Sequence, residues 1–322
     1  MVPWLGHPDR WTHLIHPYPA KVLMHIPHFF LANSLLSRPG DTVLDPFAGA
    51  GTVLLEAISA NRVAIGADSN AMARLISQVK THPLPSVGLN KALSKILIAI
   101  PDQTIGAESN IIRMQSLFDL ATSATASVVS SDARHLQYEF GSTGTQLPDE
   151  SVQLIITSPP YVGAQKYVRA MSLSLGWLNL CTAISLRTEK NNSIGREEYR
   201  KEEYSNPTHT DIQAADRLLT SIRSVNPLRA HIAAQYLCEM REALTECTRV
   251  LKPEGYLVLV IGNNHICGHE FLTVDYLETL LRRTGLSLRL RLIDDIKSRG
   301  LMTKRNKTAG MIAQECVLVF QK

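Results

Sequence analysis

The sequence predicts an α/β protein built on a doubly wound, mostly parallel sheet that closes with an antiparallel strand pair. Three observations predict it. Short apolar runs alternate with segments of helical periodicity from residue 42 to residue 283. Four of the run ends carry residues suited to a ligand: 45–51, 68, 132 and 158–161. In a parallel sheet such ends share one edge, where ligands bind. The last two runs, 286–292 and 315–320, have no helical pattern between them, as in a hairpin.

A chain of 322 residues can bury a sizeable core. Its 45% hydrophobic and 19% charged content is that of a globular enzyme. No run of eighteen apolar residues exists and residues 1–7 lack a signal peptide's pattern, so a cytoplasmic protein is expected. Five cysteines without CxxC spacing argue against a disulfide framework or a zinc ribbon. His265, Cys267 and His269 have no second cluster to complete a tetrahedral metal site, and no metal is expected.

The elements follow in order. His16-Pro17-Tyr18-Pro19-Ala20-Lys21 opens a segment whose apolar spacing to residue 36 fits a helix kinked at Pro27, with Pro19 suited to a first helical turn. Residues 42–45 form a strand ending at Asp45. Pro46-Phe47-Ala48-Gly49-Ala50-Gly51-Thr52 then makes a glycine turn before a helix over 53–60. Gly49 and Gly51 permit a tight bend and close approach of a ligand. No lysine follows, so a triphosphate cradle is not expected. Residues 63–67 form the next strand, ending at Asp68, which lies 23 residues after Asp45. A carboxylate there accepts bonds from ribose hydroxyls, or caps the helix expected over 71–80. Helices are expected at 91–100 and 111–120, a surface loop at 121–127, and a strand over 127–130 leading to Asp132.

The strand at 152–156 ends in Thr157-Ser158-Pro159-Pro160-Tyr161. Two prolines cannot continue a sheet, so a stiff turn there presents a hydroxyl, a carbonyl and a ring. That set suits a flat, amine-bearing heterocycle. A helix is expected over 165–180. The polar stretch 185–230 is too long for an ordinary connection and reads as an insertion. A helix over 231–251, a strand over 256–261 and a helix over 273–283 precede the terminal strands. Net charge is +4, yet residues 282–307 hold nine Lys or Arg against two Asp, a basic stretch suited to a polyanion.

DPFAGAGT at 45–52 followed by SPPY at 158–161 resembles the S-adenosylmethionine-dependent amino-methyltransferases of DNA, the cytosine-N4 and adenine-N6 modification enzymes. HPYPAK at 16–21, Gly66-Ala67-Asp68-Ser69-Asn70, Gly262-Asn263 and the closing strand fall in that family's order. The resemblance implies a seven-stranded class I methyltransferase sheet, with S-adenosylmethionine as cofactor and double-stranded DNA as substrate. A cognate restriction endonuclease is implied as a functional partner. Asp45, Pro46, Phe47, Gly49, Gly51 and Thr52 would wall the cofactor's methionine part. Asp68 would take the ribose, Asp132 the adenine amine, and Tyr18, Pro19 and Lys21 the N-terminal side. Ser158, Pro159, Pro160 and Tyr161 would hold the target base.

The glycine motif here precedes SPPY, whereas many members have the permuted order. Residues 1–162 are therefore assigned to the cofactor half and 231–322 to the rest of the catalytic domain. Target recognition is placed at 163–230, aided by Lys297, Arg299, Lys304, Arg305 and Lys307. Ser at the head of the motif favours cytosine N4 as the target. Adenine N6, or guanine N2 in RNA, is the alternative, though only about forty residues precede the first strand, too few for a separate RNA-binding domain. A non-catalytic binding subunit on the same fold is the reading from another class.

Overall fold

The computed structural model describes residues 12–16, 18, 21–82, 84–99, 109–110, 112–115, 117, 124–137, 145–162, 167–295 and 314–322. Pro19 and the five cations Lys297, Arg299, Lys304, Arg305 and Lys307 lie outside them.

Strands β1 (Thr42–Asp45), β2 (Val63–Ala67), β3 (Ala126–Val129), β4 (Val152–Thr157), β5 (Leu251–Ile261), β8 (Ser287–Asp295) and β9 (Gln314–Gln321) form one sheet. Its order is β3-β2-β1-β4-β5-β9-β8. The first five strands pair in parallel, and β9 runs antiparallel to both β5 and β8. This is the seven-stranded order of a class I methyltransferase, as expected. A separate hairpin, β6 (Asn264–Ile266) with β7 (His269–Phe271), follows β5.

The strands are buried on both faces because alternate residues serve different helix layers. Leu44, Ile65, Ile155, Leu257, Leu259 and Phe320 pack in one core with α7 (Gln213–Val225), α8 (Pro227–Val250) and α9 (Thr273–Arg283). Val43, Ala64, Leu154, Ile156, Val258 and Val319 pack in the other with α1 (His25–Leu31) and α2 (Thr52–Ser59).

Several boundaries differ from expectation for local reasons. Pro27 does not kink a long helix, because α1 begins only at His25 and its ring sits in the first turn. Asp68 does not cap α3 (Ala71–Thr81). Asn70 does, accepting from the backbone of Met72 and Ala73. The residues expected as an insertion are not separate from the core. Ile212, Ala215, Leu219 and Ile222 are buried in it along α7, and Pro227 starts α8 four residues before 231. Strand β5 likewise starts early, at Leu251, and its register against β4 shifts between Val152 and Leu154, close to Lys252-Pro253-Glu254-Gly255. Helix α4 spans Ser86–Ala99, and helical residues recur at 109–110, 112–115 and 117.

Candidate active site at the carboxyl edge of the sheet

Because β1 to β4 are parallel, their carboxyl ends meet along one edge. A cleft of about 760 Å³, solvent included, opens there. It lies where the strand order reverses between β1 and β4, the position at which open α/β sheets bind ligands. Pro46, Phe47, Gly49 and Asp68 form one side. Asp132, Ser158 and Pro160 form another, and Tyr18 closes in from the N-terminal segment.

The glycine turn is held by its neighbours. Gly49 has φ +48° and Gly51 φ +71°, backbone angles that favour glycine. The Gly49 N–H donates to Asp68 Oδ2 at 2.9 Å, and its carbonyl accepts from Ser77 Oγ at 2.9 Å. Asp68 Oδ1 accepts from the Asn70 N–H at 2.8 Å. Burial raises the Asp68 pKa, and the bonds from Asn70 and Gly49 pull it back down. Gly51 does not line the cleft. A Cβ there would stand 2.9 Å from Ser77 Oγ and 3.0 Å from Ser77 Cα, so its bareness admits α3 rather than a ligand.

Asp45 also lies behind the cleft rather than on its surface. It is 3% exposed, and its Oδ1 accepts from Thr157 Oγ1 at 2.7 Å and from the Phe47 N–H at 3.1 Å. Burial pushes its pKa up to about 7. The bond joins the ends of adjacent strands β1 and β4 and so sets the glycine turn against the Ser158 corner. Thr52 is buried at the start of α2, and Lys21 donates to the His13 carbonyl at 3.5 Å. Neither lines the cleft, nor does Pro159, which is buried.

Asp132 reaches the cleft with its carboxylate already engaged. Its Oδ1 accepts from Arg134 N and Nε at 2.9 and 3.0 Å, and its Oδ2 from Arg134 Nη2 at 2.6 Å. The same Nη2 donates to the Asn192 carbonyl at 2.7 Å, and Glu239 accepts from the Gly195 N–H at 3.1 Å. These bonds fasten the end of α6 (Ala183–Asn192) over the cleft, where Asn192, Ser193 and Ile194 line it. Sequence reasoning missed these three, along with Asn70 and Ser131. Asn70 carried a signal, a capping residue two positions after a ribose-type acid. Residues 192–194 carried none, since only the tertiary fold brings them there.

Tyr161 does not line the cleft. Its ring packs against the main core and its hydroxyl donates to Glu315 Oε1 at 2.7 Å. Asn264 donates to the Val162 carbonyl and so ties the turn after β5 to this corner.

A sheet in this order has the class I methyltransferase fold. Residues 17–78 match the family model described as DNA methylase. The matched residues hold the glycine turn and Asp68. The chain is 32% identical over 95 residues to the Type II methyltransferase M.MvaI of Kocuria varians, covering 29% of this chain and 21% of that protein. It is also 32% identical over 95 residues to the Type II methyltransferase M.MjaII of Methanocaldococcus jannaschii, covering 29% and 18%. The match thus spans about a fifth of the length of these relatives. Among solved structures, a SAM-dependent methyltransferase from Methanosarcina mazei aligns at 13% identity over 89% of this chain and 94% of that one, with a TM-score of 0.42.

Proposed function

We propose that this chain methylates DNA at a specific site, moving a methyl group from S-adenosylmethionine to the exocyclic N4 amine of a cytosine turned out of the duplex. One observation carries the reading: Ser158 of the SPPY corner and Gly49 and Asp68 of the glycine turn line one cleft.

The residues present fit the cofactor. Asp68 offers carboxylate oxygens to ribose hydroxyls, and the buried Asn70 amide nitrogen beside it has no hydrogen-bond partner among the described residues, leaving a donor for a polar ligand atom. When bound, S-adenosylmethionine supplies an electrophilic methyl on a sulfonium.

The protein's own work is to make a poor nucleophile competent. A base amine delocalises its lone pair into the ring. Ser158 lines the cleft, and the Pro159 carbonyl, which does not line it in this structure, is proposed as the second acceptor. Paired with Ser158 Oγ on the two N–H bonds, it favours a pyramidal nitrogen and releases that lone pair. Tyr161 offers a ring for stacking, worth about 1–3 kcal/mol. That offsets part of the few kcal/mol needed to unstack the base. Holding the amine in line with the methyl supplies much of the rate.

Target recognition is assigned to 163–230, whose residues 192–194 border the cleft, together with the basic loop at 297–307. The proposed setting is a cytoplasmic restriction–modification system. Adenine N6 is the second reading, favoured by kinship to a family that includes adenine-N6 enzymes. Mass spectrometry of nucleosides from DNA treated with the purified chain decides. N4-methylcytosine is expected, N6-methyladenine alone moves the target to adenine, and no methylated nucleoside rejects the function.

A further inference from the structure

The most informative feature outside the cleft is the place where β8 finishes and β9 begins. There Asp294 and Glu315 stand directly opposite each other across the two strands. Like charges in that position are destabilising, and a chain shaped by stability alone has no use for both. Each is answered from a different part of the molecule. His25 Nε2 of α1 meets Asp294 Oδ2 at 3.2 Å, and the Tyr161 hydroxyl donates to Glu315 Oε1 at 2.7 Å. The pair is thus explained by what its members hold, not by what they do for each other.

Resting on the function proposed above, we infer that Glu315 is a positioning residue for the Tyr161 ring. The ring needs two anchors to present a fixed face. Its backbone end is stiff, because Pro159 and Pro160 precede it and Asn264 holds the carbonyl of Val162 after it. Its far end is the hydroxyl, and a carboxylate acceptor there makes a charge-assisted bond stronger than a neutral one. With both ends fixed, the base stacks on a surface already oriented, so less ordering is required on binding. Glu315 lies 154 residues from Tyr161 in the chain, so the last strand acts on the target side of the reaction without touching the base.

The test uses the full chain with DNA from a host lacking the modification and tritiated S-adenosylmethionine. It compares wild type, Tyr161→Phe, Glu315→Ala, Glu315→Gln and the Tyr161→Phe/Glu315→Ala double variant. Tyr161→Phe and Glu315→Ala are each expected to lower kcat/KM for DNA about tenfold, the scale of one hydrogen bond to a charged group. Cofactor affinity should stay at the wild-type value. Glu315→Gln, which still accepts the hydroxyl proton, should recover most of the loss, and the double variant should be no worse than either single one. Losses that multiply in the double variant, or a Gln variant as poor as the Ala variant, overturn the inference.

A second readout is independent of activity. In protein labelled at tyrosine 13Cζ, the resonance assigned by its disappearance in Tyr161→Phe should shift in Glu315→Ala and return in Glu315→Gln. If the wild type methylates no DNA, the functional reading fails and this resonance alone decides the positioning. An unmoved resonance overturns it.

Discussion

The two sides of the cleft are held together over very different distances in the chain. On the glycine side, the bonds from Gly49 to Asp68 and from Ser77 to Gly49 span 19 and 28 residues. Around the end of α6 and the Ser158 corner, the bonds from Arg134 to Asn192, Asn264 to Val162 and Tyr161 to Glu315 span 58, 102 and 154. The first side is a local motif whose parts brace one another. The second is an assembly, completed only when the whole sheet has formed. The Asp45–Thr157 bond is the seam between them.

The sharpest separation of the two sides comes from Ser158→Ala. It should lower methyl transfer about 10²–10³-fold, as when a preorganised polar contact to the reacting group is removed, while titration calorimetry finds cofactor affinity unchanged. Equal loss of both would move Ser158 to the glycine side. Next is Gly51→Ala, which places a side chain on a left-handed backbone and against Ser77. A loss of about 2–4 kcal/mol is expected in urea unfolding. A neutral result would show that the local side yields more readily than its geometry implies.

Asp68→Ala removes the proposed ribose acceptor and leaves the Gly49 and Asn70 N–H groups without their carboxylate. Cofactor affinity should fall about 10–100-fold, with DNA affinity measured by anisotropy nearly unchanged. A parallel fall in DNA affinity would couple the two sides more tightly than their separate bonding predicts.

The smallest effect concerns the seam. Burial holds the Asp45 carboxyl near 7, so the folded chain keeps a proton that the unfolded chain has released above about 4. Between those values the folded state binds more protons, and this group's share of stability declines as pH rises, with the loss complete above about 7. Asp68 acts in the same direction. Asp45→Asn keeps an acceptor for Thr157 and removes the titration. Its thermal midpoint relative to wild type should therefore rise between pH 5 and pH 8. A constant difference would mean that Asp45 is ionised throughout.

The same contrast explains what could be read from the amino-acid sequence. Asp68, Gly49 and Ser158 stand immediately after short apolar runs, and a parallel sheet brings such positions to one edge whatever the details of packing. The edge and its residues were therefore legible, and so was the terminal hairpin. The inference failed where a residue serves a neighbour rather than a ligand. Gly51 looks like part of a ligand turn, yet it makes room for Ser77. Asp45 looks like a wall, yet it braces Thr157. The stretch 185–230 is polar enough to suggest a separate insertion, but the spacing of Ile212, Ala215, Leu219 and Ile222 is a helix face directed at the core. Arg134, Asn192 and Glu315 are ordinary surface residues by type, and only long-range contact gives them work.

The adjacency of β1 and β4 has a consequence for how such genes can be rearranged. The glycine turn and the SPPY corner meet because their strands are neighbours in the sheet, not because one follows the other in translation. Cutting the polypeptide between the two halves and splicing the pieces in reverse would leave that neighbourhood, and the Asp45–Thr157 tie, in place. A chain carrying the two motifs in the opposite order would thus be an alternative wiring of one unchanged edge.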